Sequence, residues 1–299
     1  IFWRSTNIIS LLIYPLSMIT YLINFIKKFS SKKKFIIKTI CVGNIYTGGT
    51  GKTSLALEIN KLLSKKFKTV FIKKNYRYQQ DEIKLLKNNG KCIILNDRIN
   101  SLNLAEKKKF QIAILDDGLQ QKNIKYDLKI VCFNTTDGFG NGFLLPAGPL
   151  RERLSELKNY DVVFLNGENK NKKLIKIILQ INNKIKIFNS TYQPINLKNF
   201  NKNKKYLMFC GVGNPEEFEK TLLKFKFKIK EKMIFPDHYK FTNNEIKKLK
   251  IIAKQKKLNI ITTEKDYSRL NVSQKKNVQY LKIKLKIKKL NEFKKVLIN

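Results

Sequence analysis

Three glycines and a Gly-Lys-Thr triplet crowd the stretch GNIYTGGTGKTS, residues 43–54. Gly48, Gly49 and Gly51 carry no side chain to hold a bulky anion away from the backbone, and the amides of a turn that opens a helix face such an anion. Lys52 would reach the β/γ oxygens of a triphosphate and the Thr53 hydroxyl would take a position on its divalent ion, with Thr50 and Ser54 completing the nucleotide-binding set. The spacing departs from the usual phosphate-loop pattern at its first glycine, where Tyr46 stands. A metal held there needs an acidic partner at the end of a neighbouring strand. FQIAILDDG (110–118) supplies two, Asp116 and Asp117, after an apolar run that sets them at the carboxyl edge of a sheet, where open α/β folds bind ligands. Either aspartate is a candidate for the metal.

The elements that must position these groups alternate between strand-like and helix-like patterns from residue 36 onward, which predicts parallel βαβ construction. Strands are expected within 35–44, 68–75, 91–96, 110–118, 128–134 and 160–167, and a helix over 51–67. The fold class is therefore α/β, a P-loop NTPase-like doubly wound and mostly parallel sheet. A second, smaller α/β lobe starts at KYLMFCGVGNPEEFEKTLLK (205–224), where Gly211 and Gly213 form a backbone turn. The expected division is a P-loop domain over 35–190, an Asn/Lys-rich linker over 191–204 and a C-terminal lobe over 205–299.

Residues 5–26 carry no charge, and the basic run KKFSSKKKF (27–35) follows at once. That length is close to the roughly 20 residues needed to cross a bilayer, while Pro15 and the scattered Ser, Thr and Asn suit a kinked or interfacial helix. Residues 1–30 are thus expected to form an apolar, membrane-associated helix that either spans or lies in the interface. The chain holds 62 Lys+Arg against 22 Asp+Glu among 299 residues, a formal charge of +40. The excess is spread over all elements and lacks interleaved aromatics, so a solvated basic surface is expected, not a nucleic-acid platform. Cys41, Cys92, Cys132 and Cys210 show no metal-binding spacing, as expected of thiols in a reducing compartment.

The segments VGNIYTGGTGKT (42–53), DDGLQ (116–120), DGFGNGFLLPAGPLRE (137–152), GVGNPEEF (211–218), FPDHYKFT (235–242) and TTEKD (262–266) occur in an order that resembles the lipid A disaccharide 4'-kinase (tetraacyldisaccharide 4'-kinase) family. The resemblance implies ATP and Mg²⁺ as cofactors. It implies transfer of the γ-phosphate to the 4'-hydroxyl of a tetraacylated glucosamine disaccharide 1-phosphate, at the cytoplasmic face of the bacterial inner membrane. The partners are then a glycolipid substrate and the membrane surface, with no nucleic acid, and the chain acts as a monomer.

By the same resemblance, Asp81 and His238 form the pair that accepts the proton of the acceptor hydroxyl, with Lys52 as the third catalytic residue. Substrate contacts fall to Asn44, Tyr76, Glu82, Gln120 and Arg151. LLPAGPLRERLSEL (144–157) supports the last on its own terms, since two prolines and a glycine fix a loop that ends in Arg151 and Arg153, forks suited to a phosphate. Three departures stand out. The family's SRGYGR reads KKNYRY at 73–78, the loop before Asp81-Glu82 is nearly absent, and Gln121 replaces a histidine after DDGLQ. The competing reading is a membrane-tethered P-loop nucleotide switch or ATPase, in which Asp81 and His238 are dispensable.

Overall fold

The computed structural model describes residues 3, 5–76, 79–168, 171–237 and 239–298. In chain order the strands are β1 (Lys38–Gly43), β2 (Thr69–Lys74), β3 (Cys92–Leu95), β4 (Ile112–Asp116), β5 (Leu128–Asn134), β6 (Val162–Asn166), β7 (Lys186–Pro194), β8 (Lys205–Cys210), β9 (Lys228–Ile234), β10 (Asn259–Thr263), β11 (Val278–Leu281) and β12 (Ile283–Ile287). The helices are α1 (Ile8–Leu12), α2 (Ser17–Lys28), α3 (Lys52–Leu63), α4 (Gln80–Asn89), α5 (Arg98–Lys107), α6 (Lys172–Ile181), α7 (Pro215–Lys224), α8 (Asn243–Gln255), α9 (Glu264–Arg269), α10 (Val272–Lys275) and α11 (Leu290–Ile298). The chain divides into two compact units, the first made of Ile1–Tyr76, Leu85–Thr191 and Leu285–Asn299, the second of Arg77–Lys84 and Tyr192–Lys284.

The first unit is built on an eight-stranded sheet in the order β12-β7-β6-β5-β1-β4-β2-β3. The six pairs from β7 to β3 are parallel. Ile40, Cys41 and Val42 of β1 are fully buried, as a strand covered by helices on both faces requires. β1 has β4 on one side and β5 on the other, so the sheet changes its direction of growth beside it. That switch point is where such sheets take ligands. In register, Val42 of β1 faces Asp116 of β4, which brings the start of the glycine loop beside the first aspartate of the Asp-Asp pair.

The second unit carries a four-stranded sheet, β11-β10-β8-β9, with all pairs parallel. Alternate residues of β8 enter opposite cores. Tyr206, Met208 and Cys210 pack with Phe218 and Leu222 of α7, whereas Leu207 and Phe209 pack with Ile246 and Leu249 of α8.

Three boundaries differ from expectation. A lobe running from 205 to 299 would include β12 and α11, but β12 joins the far edge of the large sheet and Phe293 of α11 packs on Phe164 and Phe188. The stretch expected as a linker at 191–204 is partly regular, because β7 runs on to Pro194 past its pairing with β6 and a 3₁₀ turn covers Leu197–Asn199. Arg77–Lys84, inside the expected P-loop domain, belongs to the second unit.

The apolar leader is not one helix. Asn7 caps α1 through a reciprocal bond with Ser10, a 3₁₀ turn at Tyr14–Leu16 follows, and α2 resumes at Ser17. Pro15 has no N–H for a continuous helix. Among the described residues no helix is long and apolar enough to cross a membrane. The leader instead docks on the loop between β5 and β6. Ser17 Oγ donates to Leu144 O (2.9 Å) and accepts from Ala147 N (3.3 Å), Asn24 Nδ2 donates to Arg151 O (2.8 Å), and the Arg153 guanidinium lies 3.9 Å from the Tyr21 ring centroid. Ile8, Ile9, Leu11, Leu12, Ile19 and Ile26 stay more than half exposed.

Candidate active site

The loop from β1 to α3 is shaped by glycine where other residues would be strained. Gly48 has φ 134° and Gly51 φ 82°, both in the region that L side chains avoid. Gly51 precedes the first residue of α3, Lys52, so the amides of the helix's opening turn face the loop interior. The Thr53 hydroxyl, one residue on, donates to Asp116 Oδ2 at 3.1 Å.

Asp116 and Asp117 part company immediately. Asp117 has φ 61°, a left-handed conformation that a short polar side chain tolerates, and this turn sends consecutive carboxylates to different partners. Asp116 is fully buried; its Oδ2 accepts from Thr53 and from Lys73 Nζ at 2.7 Å, and its Oδ1 has no hydrogen-bond partner among the described residues. Asp117 Oδ1 accepts from Arg151 at 2.9 Å. Burial would raise the Asp117 carboxyl, but the charges of Lys52 and Arg151 and the Arg151 hydrogen bond outweigh it and hold the group at about 2.

Arg151 also donates to Asn44 Oδ1 (3.0 Å), Asn44 Nδ2 donates to Tyr46 O, and Gln120 Nε2 donates to Asn44 O (2.8 Å). Backbone bonds from Arg151 N to Ile45 O and from Thr47 N to Pro149 O, both 2.8 Å, fasten the PAGPLRE loop to the glycine loop. Asn44, Gln120, Arg151 and Asp117 therefore form one network at the mouth of the phosphate loop. The Lys74 ammonium lies 5.4 Å from the Tyr76 ring centroid. Arg153 faces Tyr21 of the leader.

In the second unit four separated motifs meet. Arg269 donates to Asp81 Oδ2 from NH2 at 2.6 Å and from Nε at 3.3 Å, and its NH1 bonds Asp266 Oδ1 (2.8 Å) and Gly211 O (2.7 Å). Gly211 N in turn donates to Asp266 Oδ2 at 3.1 Å. Lys265 Nζ stands 3.5 Å from Asp81, 3.4 Å from Glu82 and 3.8 Å from Asp237. A Cβ on Gly211 would come within 3.0 Å of Pro236 O and 3.2 Å of Tyr239 Cβ, so the glycine admits the FPDHY segment. His238 lies outside the described residues. Burial raises the Asp266 carboxyl, against the opposing effects of Thr263, Arg269 and the Gly211 amide.

The candidate residues thus fall into two sets, with Lys52, Thr53, Asp116, Asp117, Asn44, Gln120 and Arg151 in the first unit and Asp81 and Glu82 in the second. Three neighbours of these residues were not among the candidates. Lys73 is a lysine inside an apolar strand. Arg98, 6% exposed, donates to Asp117 O (2.7 Å) and to Gln121 Oε1 (3.1 Å), so Gln121 supports the Asp-Asp turn. Arg269 follows TTEKD by one helical turn, and that spacing was its sole signal.

A central parallel sheet, a glycine loop opening a helix and a threonine-bonded aspartate on the adjacent strand define a P-loop NTPase-like protein. The profile of the family described as LpxK, tetraacyldisaccharide-1-P 4'-kinase, matches residues 9–89 and 72–299. The chain is 46% identical to the tetraacyldisaccharide 4'-kinase of Pelagibacter ubique, over 96% of this chain and 92% of that protein. It is 33% identical to the enzyme of that name from Rickettsia bellii, over 91% and 89%. The crystal structure of LpxK from Aquifex aeolicus in complex with ATP superposes with a TM-score of 0.71 at 25% identity, over 97% of this chain and 98% of that one. The chain belongs to the tetraacyldisaccharide-1-P 4'-kinase family.

Proposed function

We propose that the chain transfers the γ-phosphoryl group of ATP to the 4'-hydroxyl of a tetraacylated glucosamine disaccharide 1-phosphate. The observation that carries this reading is the meeting of Thr53 and Asp116 at the switch point of the sheet, beside a loop whose helix begins with Lys52. Phosphoryl transfer is mostly positioning and charge neutralisation, which is what this edge offers. The amides at 48–53 and Lys52 bind and orient the phosphates. Thr53 and Asp116 would hold Mg²⁺. They fit it: the donors are hard oxygens, and Asp116 Oδ1 is a buried acceptor without a partner among the described residues. When bound, the ion neutralises charge on the β- and γ-phosphates. Asp117, held by Arg151, orients the network around Asn44 rather than the metal.

Asp81 and His238 are assigned to the proton of the sugar hydroxyl, with Arg269 fixing the Asp81 carboxylate. Arg151 is assigned to the substrate. The leader supports work at a lipid surface, because its exposed apolar side chains are followed by the basic run 27–35. We place it flat in the interface at the cytoplasmic face of the inner membrane. Incubation with labelled ATP, Mg²⁺ and the monophosphorylated glycolipid, followed by separation of the lipids, tests the reading. A labelled bisphosphorylated lipid is expected; ATP hydrolysis with no labelled lipid would favour the membrane-tethered ATPase.

A further inference from the structure

The metal side of the phosphate loop contains a cation of its own. Lys73, in β2, is 1% exposed, and its Nζ lies 2.7 Å from Asp116 Oδ2, the oxygen that also accepts from Thr53. Burying an ammonium with a carboxylate gains little over an apolar pair of the same volume, so stability alone does not account for a lysine here. Its effect on the site is electrostatic. Lys73 offsets the charge of Asp116 and Arg151 that of Asp117, so both carboxylates of the Asp-Asp pair already hold a cation. A bare divalent ion approaching Thr53 meets hard oxygen ligands with almost no net negative charge behind them. Mg²⁺ parts with its water reluctantly and is commonly held through one or two carboxylates together with substrate phosphates.

We propose that Lys73 is a positioning residue that lowers the affinity of the Thr53–Asp116 site for a bare divalent cation, so that the ion enters with the triphosphate that supplies the missing charge. The inference rests on the reading of Thr53 and Asp116 given above. It predicts how the site chooses between a free ion and an ion on its nucleotide.

The test is Mn²⁺ binding to the full chain, followed by electron spin resonance with and without ATP, for the parent and for Lys73→Met and Lys73→Gln. Removing one unit charge at ion-pair distance should tighten bare Mn²⁺ binding about tenfold or more in both variants, with a smaller change for Mn²⁺ added together with ATP. Unchanged affinity for bare Mn²⁺, in variants that still bind Mn²⁺ with ATP, would overturn the role of Lys73. A parent chain that binds no Mn²⁺ even with ATP would remove the metal-site reading and this inference together. If Lys73→Met unfolds without metal, recovery of its fold on adding Mn²⁺ supports the proposal, since the ion then replaces the ammonium on Asp116. Unfolding that Mn²⁺ does not relieve counts against it.

Discussion

The glycine loop in the first unit and the Asp81 cluster in the second are built by opposite means. The loop is local: twelve consecutive residues set the backbone, and one strand ladder adds Asp116. The Asp81 cluster is remote in sequence, since Arg269 reaches a partner 188 positions away and Gly211 bonds an aspartate 55 positions away. Among the described residues, the loop and the β4 turn beside it leave buried oxygens without hydrogen-bond partners at Thr50 Oγ1, Asp116 Oδ1 and Gln120 Oε1, which suits a site that receives donors and ions. Asp81 is instead already gripped by a guanidinium, which suits a carboxylate that must keep one orientation.

This contrast can be broken from either side. Lys52→Ala should lower lipid phosphorylation ~10³-fold while leaving the melting temperature close to the parent's, because it removes a positioned cation and no packing. Wild-type turnover in that variant would take the phosphate site out of the loop. Asp81→Asn and His238→Ala should each reduce transfer ~10²-fold with ATP affinity preserved. Full activity in both would make the second cluster a scaffold. Arg269→Ala leaves Asp81 and the fully buried Asp266 without their shared cation, and denaturant unfolding should show a loss of about 3 kcal/mol.

The smallest effect concerns Arg151→Ala. Asp117 is held at about 2 when folded against 3.8 for an unperturbed aspartate, so its contribution, about 2 kcal/mol, is complete above pH 3.8 and disappears as pH falls through 2. Losing Arg151 raises the folded value and shrinks that contribution. The stability gap between variant and parent should therefore be wider at pH 7 than at pH 3, in denaturant titrations at the two values. An equal gap would mean that Arg151 acts through packing alone.

The strands of the first unit up to β6 were legible because parallel strands covered on both faces read as apolar runs bounded by glycine and polar turns. β7 and β12 were not. NSTYQP has the composition of a loop, and the alternating lysines of KIKLKI fit an edge of either sheet, so nothing local tells β12 to return to the first. The glycine loop and Asp116 were legible as motifs, but their assignment to opposite partners depended on the left-handed turn at Asp117, which no composition signals. Neither Lys73 nor Arg98 has a local signal for its role, for a similar reason. Their partners lie 43 and 19 positions away, and a lysine in a strand or an arginine at a helix start is ordinarily a surface residue.

The docking of α2 has a mechanical consequence. Ser17 and Asn24 bond the backbone at 144, 147 and 151, and the same stretch bonds the backbone at 45 and 47. These five hydrogen bonds join the leader to the phosphate loop with no slack chain between them, so the leader works as a bracket instead of a leash. A surface that took up its apolar side would fix the height and tilt of the triphosphate above it. Splicing flexible residues into the exposed run after Phe29 would leave that height unchanged.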